Sequence, residues 1–376
     1  MKEAGITKDT PDPHHGKIER DENGEATGLL RESAKDLVYH IMPPYSFEEF
    51  YEGLQLVLDE CIRLGLTSIH ASMVSPTEFK AMQALKRERK LGIRVAVHLS
   101  GRDEGMVEGA IAAGIETPFG DEWLKITEAE WVFDTSTSGR TAAYYEPYVG
   151  EPENTGILLY DQDDIEKRVL MTHKAGIRVG LDGVGDRGID RSLDAIEKAL
   201  KAYPRDDHRH RIEHCCYVTP AIQDRLLKLD VIDASATGFL HDLGDAYKAN
   251  RGAEAMKYMW PHRTLIDRGI PAPGHSDASI CDANPWLAIY SMVTRKTSSG
   301  DVLYAAEGVE PVEAIKAYSI DGAYAAWEED IKGTVEVGKL ADLVVVDRDP
   351  LSIKHDDLNK VTTLMTVIDG KIAYKR

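Results

Sequence analysis

Residues 46–100 read SFEEFYEGLQLVLDECIRLGLTSIHASMVSPTEFKAMQALKRERKLGIRVAVHLS, and one pattern occurs in them twice. Ser46 and Glu49 have the spacing of a capping box, so a helix starts there. Phe47, Phe50, Leu54, Leu58, Cys61 and Ile62 then fall on one face at helical spacing. Gly65 stops the helix, and 67–72 (TSIHAS) reads as a short strand. Next, Pro76 opens a helix that reaches Leu91, Gly92 stops it, and 93–100 (IRVAVHLS) is a strand. Helices alternating with strands point to a parallel sheet, because parallel neighbours need a crossover connection.

The unit continues downstream. A helix over 104–113 leads to a strand at 129–134 (AEWVFD), a helix over 163–175 to 177–183 (IRVGLDG), and a helix over 187–202 to 209–215 (RHRIEHC). Thr219-Pro220 starts the helix before 231–235 (VIDAS), and a helix near 261–268 ends at Gly269, before 270–277 (IPAPGHSD). Seven such units in one run favour a (β/α)8 TIM barrel over an open doubly wound sheet, and no GxGxxG follows the first strand. After helices over 285–294 and 310–327 the pattern changes. Strands at 341–347 and 361–374 have no helix between them, and Asp369-Gly370 is a hairpin signal. The first 45 residues are polar, with Pro and Gly, and read as irregular. The expected organisation is an irregular segment over 1–45, a barrel over 46–330 and a small β portion over 331–376.

The chain has 376 residues, with 45 Lys+Arg against 64 Asp+Glu, a formal charge of −19. An acidic chain repels phosphate backbones, so nucleic acid is not an expected partner. Cys61, Cys215, Cys216 and Cys281 contain no CxxC and are too few for a disulfide scaffold, so buried free thiols are expected. The start MKEAGITKDT has no apolar signal core, and no apolar run approaches the ~20 residues needed to cross a bilayer. A cytoplasmic protein without a membrane partner is the expectation.

Barrel enzymes place their chemistry at the C-terminal ends of the strands. There this chain has His70 and Ser72, His98, Glu130 and Asp134, Asp182 and Asp186, Glu213 and His214, and His275 and Asp277. Taken alone, a strand-end histidine is usually a satisfied polar core residue. A ring of His, Asp and Glu is different, because buried charge is costly unless it is paired or bound to metal. Imidazole and carboxylate suit a divalent metal such as zinc, which lowers the pKa of bound water to about 7.

With these motifs in order the chain resembles the amidohydrolase superfamily, in its YtcJ-like (amidohydrolase 3) group. AGITKDTPDP (4–13) with GKIERDENGEATGLL (16–30) is similar to that group's substrate-region signature. DTSTSGRTAAYYEPY (134–148) is similar to its DGSxxSRTA segment, and GVGDRGIDRSLDAIE (183–197) and RHRIEHC (209–215) to its central metal-side motifs. GHSDAS (274–279) is similar to its GSD motif, and 317–330 with GTVEVGKLADLVVVD (333–347) to its C-terminal signature.

The resemblance implies one or two divalent metals, most simply Zn2+, held by an HxH pair on strand 1, a Lys or Glu on strand 4, one His each on strands 5 and 6, and an Asp on strand 8. By motif, His214 matches the strand-6 histidine, and Asp277 matches the strand-8 aspartate that is ligand and proton shuttle. Glu130 stands where many relatives have the bridging lysine. Asp182, in VGLDGVGD, stands in place of the strand-5 histidine. Arg140, Glu213, His98 and His275 are candidates to orient substrate, with structural ion pairing as the alternative for Arg140 and Glu213. No HxH begins the chain. His14-His15 is adjacent, and in a strand neighbouring side chains point to opposite faces. His208 and His210 have the HxH spacing but lie at the wrong end, and with His173 they are expected to be exposed.

On this reading the seven strands are strands 2 to 8 of an amidohydrolase barrel lacking strand 1, followed by a partial C-terminal β-sandwich, as in the C-terminal two-thirds of a longer member. The implied activity is hydrolysis of a C–N bond, amide or N-acyl, by metal-activated water on a small molecule. With three ligands lost, the alternative is a non-catalytic or metal-poor relative that binds a small molecule or acts as a subunit. An open sheet edge also suggests a homo-oligomer.

Overall fold

The computed structural model describes residues 1–103 and 105–376. Residue 104, the expected start of one helix, lies outside the described residues; the helix itself spans Met106–Ala112. The chain opens with an antiparallel hairpin, β1 (Gly16–Arg20) and β2 (Ala26–Glu32). The parallel sheet begins with β3 (Ser68–Val74) and β4 (Arg94–Ser100). A two-residue strand β5 (Phe119–Gly120) lies antiparallel on β6 (Leu124–Trp131), which continues the parallel ladder from β4. β7 (Val179–Gly183), β8 (Arg211–His214) and β9 (Ile232–Ser235) follow in sequence order. Apart from β5, each strand of this sheet pairs with the next in the chain, so the sheet winds in one direction and curls as a partial barrel.

The helices form where the sequence places their signals. Ser46 Oγ accepts from the Glu49 N–H at 3.2 Å, and the Glu49 carboxylate accepts from the Ser46 N–H at 2.7 Å, capping the helix Phe47–Arg63. Ser75 and Glu78 repeat the device ahead of Pro76–Arg87. Gly65, with φ 95°, takes the left-handed conformation that ends the first helix at little steric cost. The second helix stops at Arg87, short of the expected Leu91. It is closed not by Gly92 but by Arg89 (φ 58°), after which the Lys90 N–H donates to the Leu85 carbonyl at 2.8 Å. The helices Gln162–Lys174, Asp186–Ala202 and Pro220–Leu229 cross between later strands. Between helices and sheet lies an apolar core that includes Leu85, Ile93, Val97, Val179, Leu181, Ile196 and Ile212. Each such side chain contributes about 1.5–3 kcal/mol by leaving water.

The structure corrects several expectations. The segment 1–45 is not irregular throughout: β1 and β2 are joined by a turn in which Asp21 Oδ1 accepts from the N–H groups of Asn23 and Glu25, both at 2.9 Å, and Gly24 has φ 81°. Asn23-Gly24 was the hairpin signal. The strand expected at 129–134 begins at Leu124, because Glu128 and Glu130 break the apolar pattern while pointing to one face of β6.

The segment 270–277 pairs with β9 through one bridge, Ser235 to Gly274. Its prolines explain why: Pro271 and Pro273 accept through their carbonyls from Asp233 N–H (3.0 Å) and Ser235 N–H (2.9 Å) but have no N–H to return. The helix expected over 310–327 is split into Pro311–Ala317 and Ile320–Tyr324. The Ala317 carbonyl accepts from the Gly274 N–H at 3.1 Å, so this break anchors segment 270–277.

His173, His208 and His210 are buried, not exposed. They form a directed chain at the N-terminal end of the sheet. His210 Nδ1 accepts from the Val179 N–H at 3.0 Å, so its Nε2 donates to His173 Nδ1 at 2.8 Å. His173 Nε2 then donates to the Tyr203 carbonyl at 2.6 Å. His208 Nδ1 accepts from the His210 N–H (2.9 Å) and its Nε2 donates to the Leu229 carbonyl (3.0 Å). Every ring nitrogen has a role only as neutral imidazole, and burial lowers the pKa of all three.

The tail is a three-stranded antiparallel sheet, β10 (Leu343–Val346), β11 (Thr363–Ile368) and β12 (Lys371–Lys375). Asp369 and Gly370 both have positive φ, as the expected tight turn requires. The sheet is tied to the main body by Thr366 Oγ1, which donates to the Ile62 carbonyl at 2.7 Å, and by a buried Arg94–Asp342 pair at 2.6 Å. The four cysteines are free and buried, as expected. Among the described residues, no helix is long and apolar enough to cross a membrane.

Candidate active site

Two layers of polar side chains fill the concave side of the sheet. In the lower layer His98 Nδ1 sits 3.0 Å from Glu128 Oε1 and 3.2 Å from Glu130 Oε2. Arg178 reaches Glu128 Oε2 at 2.8 Å, and Arg211 lies against Glu213 with its Nη2 at 2.6 Å from Oε2. Arg211 Nη1 also donates to His70 Nδ1 at 3.2 Å. Gly180 makes room for this layer: a Cβ there would lie 2.5 Å from Glu128 Oε1. Burial disfavours a charged His98, but Glu128 and Glu130 outweigh it and raise its pKa to about 9. Ligand atoms of His98, Glu128 and Glu213 lie within 4.8 Å of one another. Two guanidinium groups already balance their carboxylates, so this layer is an internally neutralised network.

The upper layer is not neutralised in this way. His214 at the end of β8 has its Nε2 3.6 Å from Asp182 Oδ2 at the end of β7. The field of Asp277 reaches His214, and that of Glu130 reaches Asp182 and Asp277. Phe239 stacks on the His214 ring, 5.6 Å between centroids and 17° between planes, which fixes its orientation. Burial opposes protonation of His214, yet Asp182 foremost, with Asp277 and Glu213, raises its pKa to about 10. Burial pushes Asp182 up to about 7 against the pull of His214, and burial also raises Asp277.

This layer fits a divalent cation. Asp182 Oδ1 and His214 Nδ1 are buried without a hydrogen-bond partner. With Glu130 paired to His98, Asp182 and Asp277 face the single His214 imidazole, and when both are ionised they carry one negative charge more than it can balance, which a cation would relieve. His214 and Asp277 also have φ of 67° and 52°, a conformation that non-glycine residues hold at a cost and that clusters at functional sites.

The remaining expected residues divide. Glu130 is within the cluster but already accepts from Ser72 Oγ at 2.7 Å and from the Met73 N–H at 3.2 Å. His275 is beside His214, ring centroids 5.3 Å apart, with its Nε2 donating to the Ala234 carbonyl at 3.0 Å. His98 and Glu213 are sealed in the lower layer. Arg140 is not brought to the cluster: its Nε donates to Asn250 Oδ1 at 2.9 Å and its Nη1 pairs with Glu151. Asp134 binds no site group either. Its carboxylate accepts from the N–H groups of Ala143, Val184 and Gly185, joining two loops above the strands.

Sequence reasoning missed Glu128, Arg178 and Arg211. Two of them carried a signal: Glu128-x-Glu130 and Arg211-x-Glu213 have the period of two that puts both side chains on one face of a strand. Arg178 is a residue before β7 and carried none.

The profile of the amidohydrolase family matches residues 1–374, and the chain belongs to that family, in its YtcJ-like group. By family it is a hydrolase. It is 29% identical to the putative amidohydrolase YtcJ of Bacillus subtilis (strain 168), over 100% of this chain and 71% of that protein. It is 25% identical to the N-substituted formamide deformylase of Arthrobacter pascens, over 99% of this chain and 70% of that one. Among solved structures, an uncharacterized metal-dependent hydrolase from Pyrococcus furiosus superposes with a TM-score of 0.75 at 25% identity, covering 93% of this chain and 69% of the other. One from Pyrococcus horikoshii OT3 gives 0.76 at 23%, covering 92% and 68%, a likeness of fold.

Proposed function

We propose that the chain is a metal-dependent hydrolase of a C–N bond in a small amide or N-acyl compound, with zinc as its metal. The observation that carries this reading is the upper layer itself: His214, Asp182, Asp277 and Glu130 gather buried negative charge and two partnerless ligand atoms at the strand ends. A divalent cation held there by those four residues would supply Lewis acidity and acidify water. Asp277 takes the proton of the attacking water and returns it to the leaving nitrogen, which becomes a neutral amine. Phe239 holds the His214 ring in place, and His275 lines the same wall. The relative named as an N-substituted formamide deformylase supports a C–N substrate. On this reading the curled sheet is a (β/α)8 barrel without its first strand, and β10–β12 are part of a β-sandwich. Four buried free thiols suit a reducing cytoplasm.

Two measurements test the proposal together. Protein purified without chelator should contain about one metal per chain, and it should release amine from some member of a panel of N-formyl and N-acyl amines. Asp277→Asn should lower kcat by about 10²–10⁴ while the protein stays folded. A second reading rests on Glu130, whose oxygens are already taken by Ser72, Met73 and His98. A protein that holds no metal, gains no stability from Zn2+ and cleaves nothing would be a small-molecule binder instead.

A further inference from the structure

His14 and His15 lie in none of the strands, so their rings need not point apart. The Pro13 carbonyl accepts from the Gly16 N–H at 3.0 Å, which puts the two histidines in the middle of a tight turn. His15 has φ 61°, and the rings stand side by side with centroids 3.7 Å apart. The expectation that adjacent histidines diverge therefore fails here, because a left-handed residue resets the alternation. The turn is fixed on both flanks. Asp12 Oδ1 accepts from the Ile18 N–H at 2.9 Å, and Ser33 Oγ donates to the His14 carbonyl at 2.5 Å. A Cβ on Gly16 would lie 2.4 Å from the Ala34 nitrogen, so this close approach needs glycine.

Asp161 faces the pair from the main body. It is the N-cap residue of Gln162–Lys174, yet its carboxylate accepts no capping bond. One ligand atom each from His14, His15 and Asp161 lie within 4.8 Å of one another. Ligands around tetrahedral zinc, with bonds of ~2.0–2.1 Å, sit roughly 3.3 Å apart. His14 and Asp161 are exposed, so a small side-chain movement closes the set. The group borders a cleft of about 440 Å³ lined by Tyr160, Gln162 and Arg187, which leaves a further ligand position open. The Arg187 Nη2 is held by the carbonyls of Thr155 (3.0 Å) and Gly156 (3.2 Å). Two imidazoles with one carboxylate suit zinc, nickel or copper rather than magnesium or calcium.

We propose that His14, His15 and Asp161 form a divalent transition-metal site, separate from the strand ends, that clips the turn before β1 to the start of the helix Gln162–Lys174. The site shares no residue with the proposed active centre and stands or falls apart from it. The test is Zn2+ titration of the full chain against a fluorescent chelator. Wild type should bind one equivalent more than the His14→Ala/His15→Ala variant, and Asp161→Asn should weaken that equivalent at least about tenfold. His214→Ala should keep it, which separates this site from the strand-end cluster. Equal stoichiometry and affinity in wild type and the double histidine variant overturn the proposal, and unchanged affinity in Asp161→Asn overturns the three-ligand site.

Discussion

Acidification should strip stability from the protein through His262. This residue opens the helix His262–Arg268, and its Nε2 donates to the Ala272 carbonyl at 3.1 Å, inside the segment that carries His275 and Asp277. It is 1% exposed, and its Nδ1 is buried without a partner. Protonation would place an N–H there with no acceptor, near Arg295. Burial first, then Arg295 and Arg263, lower its pKa to about 4, and only Glu313 and the bond to Ala272 pull the other way. The ordinary value in an unfolded chain is about 6.5. The folded pKa is depressed, so below pH 6.5 the unfolded chain binds more protons than the folded one. The stabilisation is whole above that pH and is lost as pH falls towards 4. Between pH 7.5 and 4.5 the loss is about 2.5 kcal/mol. Asp134 and Asp233 act in the opposite sense, because burial raises both to about 7 and the folded state holds their protons. The clean quantity is therefore a difference between two proteins. His262→Gln keeps a donor for Ala272 and does not titrate. Urea unfolding at constant ionic strength should show wild type losing about 2.5 kcal/mol more than the variant over this range. Parallel pH profiles for the two would refute the reasoning.

Other consequences follow from close contacts and buried charge. Gly185→Ala puts a Cβ 2.0 Å from the Ala143 carbonyl and should cost about 3 kcal/mol or more, read by thermal unfolding. Glu128→Gln leaves Arg178 without its buried counter-ion and should cost about 3–5 kcal/mol in chemical denaturation. His210→Phe breaks the neutral histidine chain, leaving the Val179 N–H and the His173 Nδ1 unpaired, and should cost about 2–5 kcal/mol by the same assay. Asp182→His should raise Zn2+ affinity at the strand ends, measured by chelator competition. Unchanged affinity would show that Asp182 does not stand where a ligand is needed.

Most of the parallel sheet was legible, because capping boxes, stop glycines and apolar strands each leave a local mark. Ser46, Gly65 and Pro76 do in the structure what their spacing implied, while the helix from Pro76 ends at Arg87 without reaching Gly92. The strand ends also delivered His214, Asp182, Glu130 and Asp277 to one region. What stayed hidden was long-range pairing. His173 looks like a polar helix-surface residue until His210, far away in sequence, is found beside it. For Arg140 the choice between substrate and structural ion pairing stayed open, because nothing local announces Glu151 and Asn250 as its partners. The β1–β2 hairpin was masked by its polarity, although Asn23-Gly24 marked its turn.

The proline-interrupted ladder at 270–277 bears on how this protein can be watched. Pro271 and Pro273 carry no amide hydrogen, so the two residues that hold this segment to β9 through their carbonyls are silent in hydrogen exchange and in amide NMR. The reporters are on the neighbouring strand. Asp233 and Ser235 donate their N–H groups to Pro271 and Pro273, and His275 returns one bond to the Ser235 carbonyl at 3.0 Å. Protection at those three amides reads whether the aspartate-bearing segment is docked. A ligand that seats against Asp277 should slow exchange at Asp233 and Ser235 on the neighbouring strand as well as at His275 beside it.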